Sequence, residues 1–292
     1  MKKSLSFALG LWLAALVAVM AAEEKKEEKK EGEKKEEAAE VSIFKDKNLE
    51  AGVRKYVFEK RDTTKPLTEA DVSSLSTIQA DGLGIKDLTG LEKCRSLASL
   101  DLKRNQISDL SPLKTVTNIQ YLNLAANQIE DVSALSEIKP LQYIELSNNK
   151  VKDITPLAGL TNMNSLYLSS NKVSDISAVL NMKKLWSLYV DGNNIESIKG
   201  LEVLRGLSSL SLSRNKVSDI SPLEKMNAFT YLFLEHNKIR DLTPLFNAAR
   251  KDAEGEKRFI PYVNIFVTGN PLTSASKKQL DTMKEYGARI TN

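Results

Sequence analysis

Histidine and cysteine are almost missing from this chain: His236 and Cys94 are single copies among 292 residues. A zinc site of the Cys/His type needs three or four such ligands, so that chemistry is excluded on count alone. One cysteine forbids an intramolecular disulfide, and a Cys–His nucleophilic pair would have to use these two residues. Most hydrolase, redox and metal chemistry therefore falls away, and neither catalysis nor a cofactor is expected. The net charge of +4, from 42 Lys+Arg against 38 Asp+Glu, is too mild to imply nucleic acid. With 41% hydrophobic and 27% charged residues, the composition is that of an ordinary soluble globular protein.

The first forty residues read as address and spacer. Lys2 and Lys3 precede an apolar run from Leu5 to Met20, followed by Ala21 and Ala22, the layout of a cleavable bacterial secretory leader over residues 1–22. The run is short for a membrane span, so the product is expected to be secreted or periplasmic and not membrane-spanning. Residues 23–40 hold nine Glu and six Lys with no apolar residue beyond alanine. Like charges at i,i+4 (Glu23 and Glu27, Lys25 and Lys29) oppose a helix, and a charged, disordered spacer is expected. Setting both segments aside leaves +5 on residues 41–292.

From about residue 75 the chain repeats itself as LxxLxLxxNxIxDIxxL. Asn105, Asn127, Asn149, Asn171, Asn193, Asn215 and Asn237 follow one another at intervals of 22 residues. A degenerate copy with Leu83 in the Asn position precedes them, and a displaced one ends at Asn270, which makes about nine units over 75–272. The leucines are expected to fill the interior, and the Asn amides to satisfy backbone groups of their own and neighbouring turns. The Asp four residues later (Asp109, Asp131, Asp153, Asp175, Asp219, Asp241) suits capping of a short turn such as Leu110 to Leu113. Both columns read as scaffold, not as ion ligands.

These residues resemble the leucine-rich repeat signature, and the resemblance implies an α/β repeat solenoid with a parallel β-sheet on its concave face. The 22-residue length and Asp219-Ile-Ser-Pro-Leu223 are similar to bacterial internalins and to a eukaryotic phosphatase regulator. Residues 43–91, with Ile43, Phe44, Asp46, Asn48, Leu49, Thr68 to Val72 and Ala80 to Ile85, resemble the helical cap that opens internalin repeat domains, and the cap itself is expected over 41–74. Residues 273–292, with Leu280, Met283 and Ile290, are expected to close the other end with a capping helix. With no sorting motif, wall-binding domain or immunoglobulin-like module expected after the repeats, the internalin roles in surface attachment and receptor binding are not carried over. The expected leader would likewise separate the chain from any cytoplasmic phosphatase.

Strand residues between the leucines are where such a solenoid carries function. Counting back from each Asn, the six-back column reads Thr77, Ser99, Tyr121, Tyr143, Ser165, Ser187, Ser209, Tyr231, Asn264. The four-back column reads Gln79, Asp101, Asn123, Glu145, Tyr167, Tyr189, Ser211, Phe233, Phe266. Seven of these 18 positions are aromatic where the chain average of 6% predicts about one, and strand propensity raises that only to two or three. The expectation is a ligand-binding face: Tyr121, Tyr143, Tyr167 and Tyr189 as an oblique band, Tyr231, Phe233 and Phe266 as a second cluster, and Trp186 at the edge. Asp81, Asp101, Glu145, Asp191 and Glu235 oppose only Lys103 on this face, which disfavours nucleic acid there.

A protein partner is therefore expected, with cell-envelope polysaccharide or peptidoglycan, stacked on the same rings, as the alternative. Positive charge gathers at the ends instead, at Lys45, Lys47, Arg54, Lys55, Lys60 and Arg61, then at Arg250, Lys251, Lys257 and Arg258, and reads as solvated surface. His236 is expected to be an inert loop residue. Cys94 is expected to pack as a small apolar residue, with a reactive role left open for an unpaired thiol in an exported protein. The insertion Phe246 to Tyr262, flexible in character at Asp252 to Glu256, reads equally as a partner-contacting loop or as the transition to the C-terminal cap.

Overall fold

The computed structural model describes residues 41–292; the expected leader and spacer lie outside the described residues. Ten three-residue strands form one sheet, all parallel and in chain order. They are β1 (Thr77–Gln79), β2 (Ser99–Asp101), β3 (Tyr121–Asn123), β4 (Tyr143–Glu145), β5 (Ser165–Tyr167), β6 (Ser187–Tyr189), β7 (Ser209–Ser211), β8 (Tyr231–Phe233), β9 (Asn264–Phe266) and β10 (Arg289–Thr291). The register follows the sequence period: Tyr121 pairs with Tyr143, Leu122 with Ile144, and Asn123 with Glu145. The middle residue of β1 to β9 is an Ile or Leu with no exposed surface, so the first and third residues face outward. Short 3-10 turns such as Ser111–Leu113 and Ser133–Leu135 form the return side. Strands stack about 4.8 Å apart, closer than helical turns can, which puts the sheet on the inside of the curve.

The Asn column does what its spacing implies. Asn149 Nδ2 donates to the carbonyls of Leu124 (3.0 Å) and Leu146 (2.9 Å), and its Oδ1 accepts from the Ile129 amide at 3.0 Å. Each amide thus ties its own coil to the one before it, and the same three contacts recur at Asn127, Asn171, Asn193, Asn215 and Asn237. The residue before each Asn turns the chain through the left-handed region, including Arg104, Ala126, Asn148, Ser170, Arg214 and His236 with φ between 54° and 59°. The Asp column closes the next turn: Asp109 accepts from the Ser111 amide at 2.8 Å, and Asp153 from the Thr155 amide at 2.8 Å.

Both ends are closed by helices. At the N-terminal end α1 (Lys47–Arg54) starts at Asp46, whose carboxylate accepts from the amides of Asn48 and Leu49 and reaches the Lys86 amide at 2.7 Å. Gly52 lets α1 close on the sheet, since a Cβ there would stand 2.6 Å from that of Ala80. A second helix, α2 (Glu69–Val72), carries a capping box between Thr68 and Asp71.

The insertion departs from its flexible reading. Residues Thr243–Glu254 form α3, an extended version of the 3-10 return turn, with Ala248, Ala249 and Asp252 buried. Asp252 accepts from the amides of Arg258 (2.9 Å), Phe259 (3.1 Å) and Ile260 (2.9 Å), so the acid at the start of the stretch expected to be flexible is the anchor of the loop. Helix α4 (Ser274–Glu285) buries Leu280 and Met283 as expected. Beyond it, β10 adds a tenth strand through half-buried Ile290, paired with Ile265, where only a helix was expected.

Cys94 caps the first return turn with no exposed surface, and burial, then the charge of Glu92, push its thiol up to about 12. A thiol so placed is inert. Native protein should therefore fail to react with a disulfide reagent at pH 8 (about the free-thiol range) and should react once urea unfolds it; fast native labelling would contradict the placement. Asn149→Ala should lower the unfolding free energy by about 3–5 kcal/mol, because three buried backbone groups lose their partners. Asp153→Ala, at an exposed turn, should cost clearly less than Asn149→Ala. Urea denaturation of the two variants checks the ordering.

Candidate functional site

The first and third strand residues place seven rings on the sheet's outer surface, and they meet as one ladder. Tyr121 and Tyr143 stack at 4.4 Å between centroids and 15° between planes. Tyr143 meets Tyr167 at 5.3 Å, and Tyr167 meets Tyr189 at 5.1 Å, both tilted. Phe233 then stacks on Phe266 at 4.6 Å, with Tyr231 beside it at 6.1 Å. The band and cluster expected as separate groups are joined, because Tyr189 and Phe233 lean toward each other to 6.2 Å across the intervening repeat. Small residues make this closure possible: Ser209 and Ser211 occupy the outward positions of β7, and both are buried. That bridging signal was present in the sequence as the one repeat with serine in both columns.

The ladder drifts along the strands. It begins on the first residue of β3 and β4 and continues on the third residue of β5, β6, β8 and β9. Tyr231 is 42% exposed and the other six rings are half-buried, so the rings present edges and rims more than open faces. Burial first, then the charges of Tyr121, Glu145 and Tyr167, hold the Tyr143 phenol well above its usual range, and burial raises that of Tyr189. Trp186, just before β6, is 61% exposed, and among the described residues no ring stacks on it.

The carboxylates of the face divide into two kinds. Asp81 is paired with Arg104, a partner that counting strand columns alone missed, and that bond holds its carboxyl below the usual range. Asp101 is paired with Lys103 at 3.4 Å. Glu145, Asp191 and Glu235 have no cation within salt-bridge distance among the described residues. Their bonds are to neutral donors. Glu145 accepts from the Ser147 amide at 2.7 Å, Glu235 from the Ser213 hydroxyl at 2.8 Å, and Asp191 from the hydroxyls of Ser169 and Ser211 and the Ser213 amide.

Among the described residues no cluster of His, Cys, Asp and Glu is arranged to hold a metal ion, and no helix is long and apolar enough to cross a membrane. A recess of about 840 Å³ lies on the return side between the Leu201–Val203 turn and α3. Its lining mixes Glu202 and Glu224 with Arg205, Lys225 and Lys251. That open, mixed-charge recess offers no convergent chemistry, whereas the ladder is continuous over seven rings.

The family described as leucine-rich repeats (2 copies) matches residues 95–138, 117–159, 141–181 and 205–247. No curated protein matches the sequence. The crystal structure of internalin C2 from Listeria monocytogenes is 32% identical, covering 79% of this chain and 95% of that one with a TM-score of 0.68. The chain belongs to the internalin-like leucine-rich repeat family. The fold alone is shared with the ectodomain of the Arabidopsis thaliana receptor kinase GASSHO1/SCHENGEN3, a structure in complex with CASPARIAN STRIP INTEGRITY FACTOR 2. That likeness is 19% identical, covers 77% of this chain and 28% of that one, and has a TM-score of 0.62.

The raised Tyr143 and Tyr189 phenols give this internalin-like solenoid a signed pH dependence. A folded pKa above the unfolded value means full stability below about pH 10 and loss as pH climbs through the folded value. Urea midpoints should hold up to about pH 10 and fall as pH rises above it, and Tyr143→Phe should flatten that fall. Identical alkaline slopes for both proteins would contradict the burial of the ring.

Proposed function

We propose that this chain is an exported, non-catalytic binding protein that engages a protein partner through the concave aromatic ladder. One observation carries the reading: seven rings run from Tyr121 to Phe266, bridging the ringless β7, on a sheet face that no other element covers among the described residues. Rings cost little conformational entropy to fix and dominate protein-binding hot spots, so such a face gains more from a partner than from water. Residues expected at the site take distinct roles. Tyr143, Tyr167 and Tyr189 form the centre, Tyr121, Tyr231, Phe233 and Phe266 extend it, and Glu145 and Asp191 supply charge. Export rests on the sequence of residues 1–22, with Lys2, Lys3 and the apolar run that follows.

The carbohydrate alternative rests on Trp186, whose ring is free to stack. The ladder favours it less, because stacking on a sugar needs a free ring face and these rings spend their faces on one another.

A pull-down from the producing organism's envelope extract tests the proposal, with the wild-type chain beside the triple variant Tyr143→Ser, Tyr167→Ser, Tyr189→Ser, checked for equal folding. A protein captured by wild type and lost with the variant is the expected result. Equal capture by both overturns the site, and capture that survives protease treatment of the extract but is lost with Trp186→Ala transfers the function to sugars.

A further inference from the structure

The three carboxylates without a cation follow a rule that the ladder alone does not require. Each sits two residues after a ladder ring, at alternate repeats: Tyr143 with Glu145 on β4, Tyr189 with Asp191 at β6, Phe233 with Glu235 at β8. Positions i and i+2 of a strand point to the same side, so each pair presents a ring and a carboxylate together. Ring and acid shift along the strand in step, from the first and third strand positions at β4 to the third position and beyond at β6 and β8. The repeats between them carry serine where the acid would stand, Ser169 after Tyr167 and Ser213 after Ser211. Hydroxyls and amides orient the carboxylates but leave their charge uncompensated.

A ring beside an unpaired carboxylate is a seat for a cationic side chain. Its aliphatic stem packs against the exposed rim of the ring and its head meets the acid, whose charge supplies the attraction. Seats at alternate repeats are two strand spacings apart, roughly 10 Å across the sheet, and the Tyr143/Glu145 seat is offset by two further residues, roughly 7 Å along the strand, a gap that the reach of a long cationic side chain takes up. An extended polyproline-type segment repeats its side-chain direction every third residue, about 9.3 Å, and needs no internal hydrogen bonds. A β-strand ligand would present alternate faces at that interval, and a helix would need a different step.

Resting on the concave-face reading above, we propose that the partner engages it through an extended segment with Lys or Arg at every third residue, three successive cations occupying the pairs Tyr143/Glu145, Tyr189/Asp191 and Phe233/Glu235. The acids then set specificity while the rings supply contact area, and association weakens as salt rises.

The test uses the full chain and a fluorescent peptide of four Arg-Pro-Pro triplets, read by anisotropy. Two controls accompany it: a peptide of the same composition with its arginines adjacent, and one of Glu-Pro-Pro triplets. Wild type should bind the first peptide at least about tenfold more tightly than either control, and the triple variant Glu145→Gln, Asp191→Asn, Glu235→Gln should lose at least about tenfold. A urea melt of the variant confirms its fold, and the single variant Glu145→Gln, whose carboxylate accepts only one backbone amide, should show an intermediate loss. Equal binding of the shuffled peptide, undiminished binding by the neutral variants, or no binding of any peptide overturns the inference. A partner captured through the tyrosines yet unmoved by the neutralising substitutions would remove this inference and leave the concave face standing.

Discussion

The asparagine amide that ties each coil to its predecessor is the constraint on which the structure depends. A coil with a three-residue strand and a 3-10 return has little regular hydrogen bonding of its own, and its turn residues sit between the sheet and the core. One buried side chain per repeat supplies the missing partners on both sides of the joint. It also holds the preceding residue in the left-handed region, at a cost of about 1 kcal/mol for each non-glycine side chain. Because every coil is fixed to the next in the same way, register passes along the chain, and outward residues 22 apart fall beside one another. The aromatic ladder is a consequence of that register, since rings placed by a looser scaffold would have no reason to meet at 4.4 to 6.2 Å.

Much of the repeat was legible in the residues because its determinants are local and periodic. Asn105 to Asn237 specify the coil, and the Asp column specifies the turn that follows, each through contacts within two coils. What escaped was non-periodic. The insertion's Asp252 looks like a solvated charge in a polar run, yet three amides of the following loop converge on its carboxylate. Nothing in the order of residues announces that convergence. The tenth strand was hidden for a related reason: Arg289–Thr291 has no Leu-x-Leu context, and the exposed edge of β9 selects it. Arg104 reaches back across one coil to Asp81, a pairing that only the three-dimensional spacing of the coils reveals.

At the candidate site, the positions were legible but their connection was not. The strand columns name all seven rings, but two groups become one only because Ser209 and Ser211 let Tyr189 and Phe233 close above them. The same closure bears on chemistry. Rings that stack on one another present edges and hydroxyls, and the carboxylates interleaved with them at alternate repeats turn an apolar stripe into a patterned one. Area and charge are thereby separated between two sets of residues on a single rigid sheet, which is the arrangement that allows specificity to be tuned without disturbing the fold.

The claim that the concave face is the working surface is tested most directly by tyrosine acetylation footprinting of the chain, alone and in envelope extract, mapped by mass spectrometry. The eight tyrosines divide cleanly, five on the ladder and three elsewhere at Tyr56, Tyr262 and Tyr286. Protection in the extract confined to Tyr121, Tyr143, Tyr167, Tyr189 and Tyr231 is the predicted result. Protection of Tyr262 or Tyr286 with the ladder unchanged would place the working surface elsewhere and contradict the account.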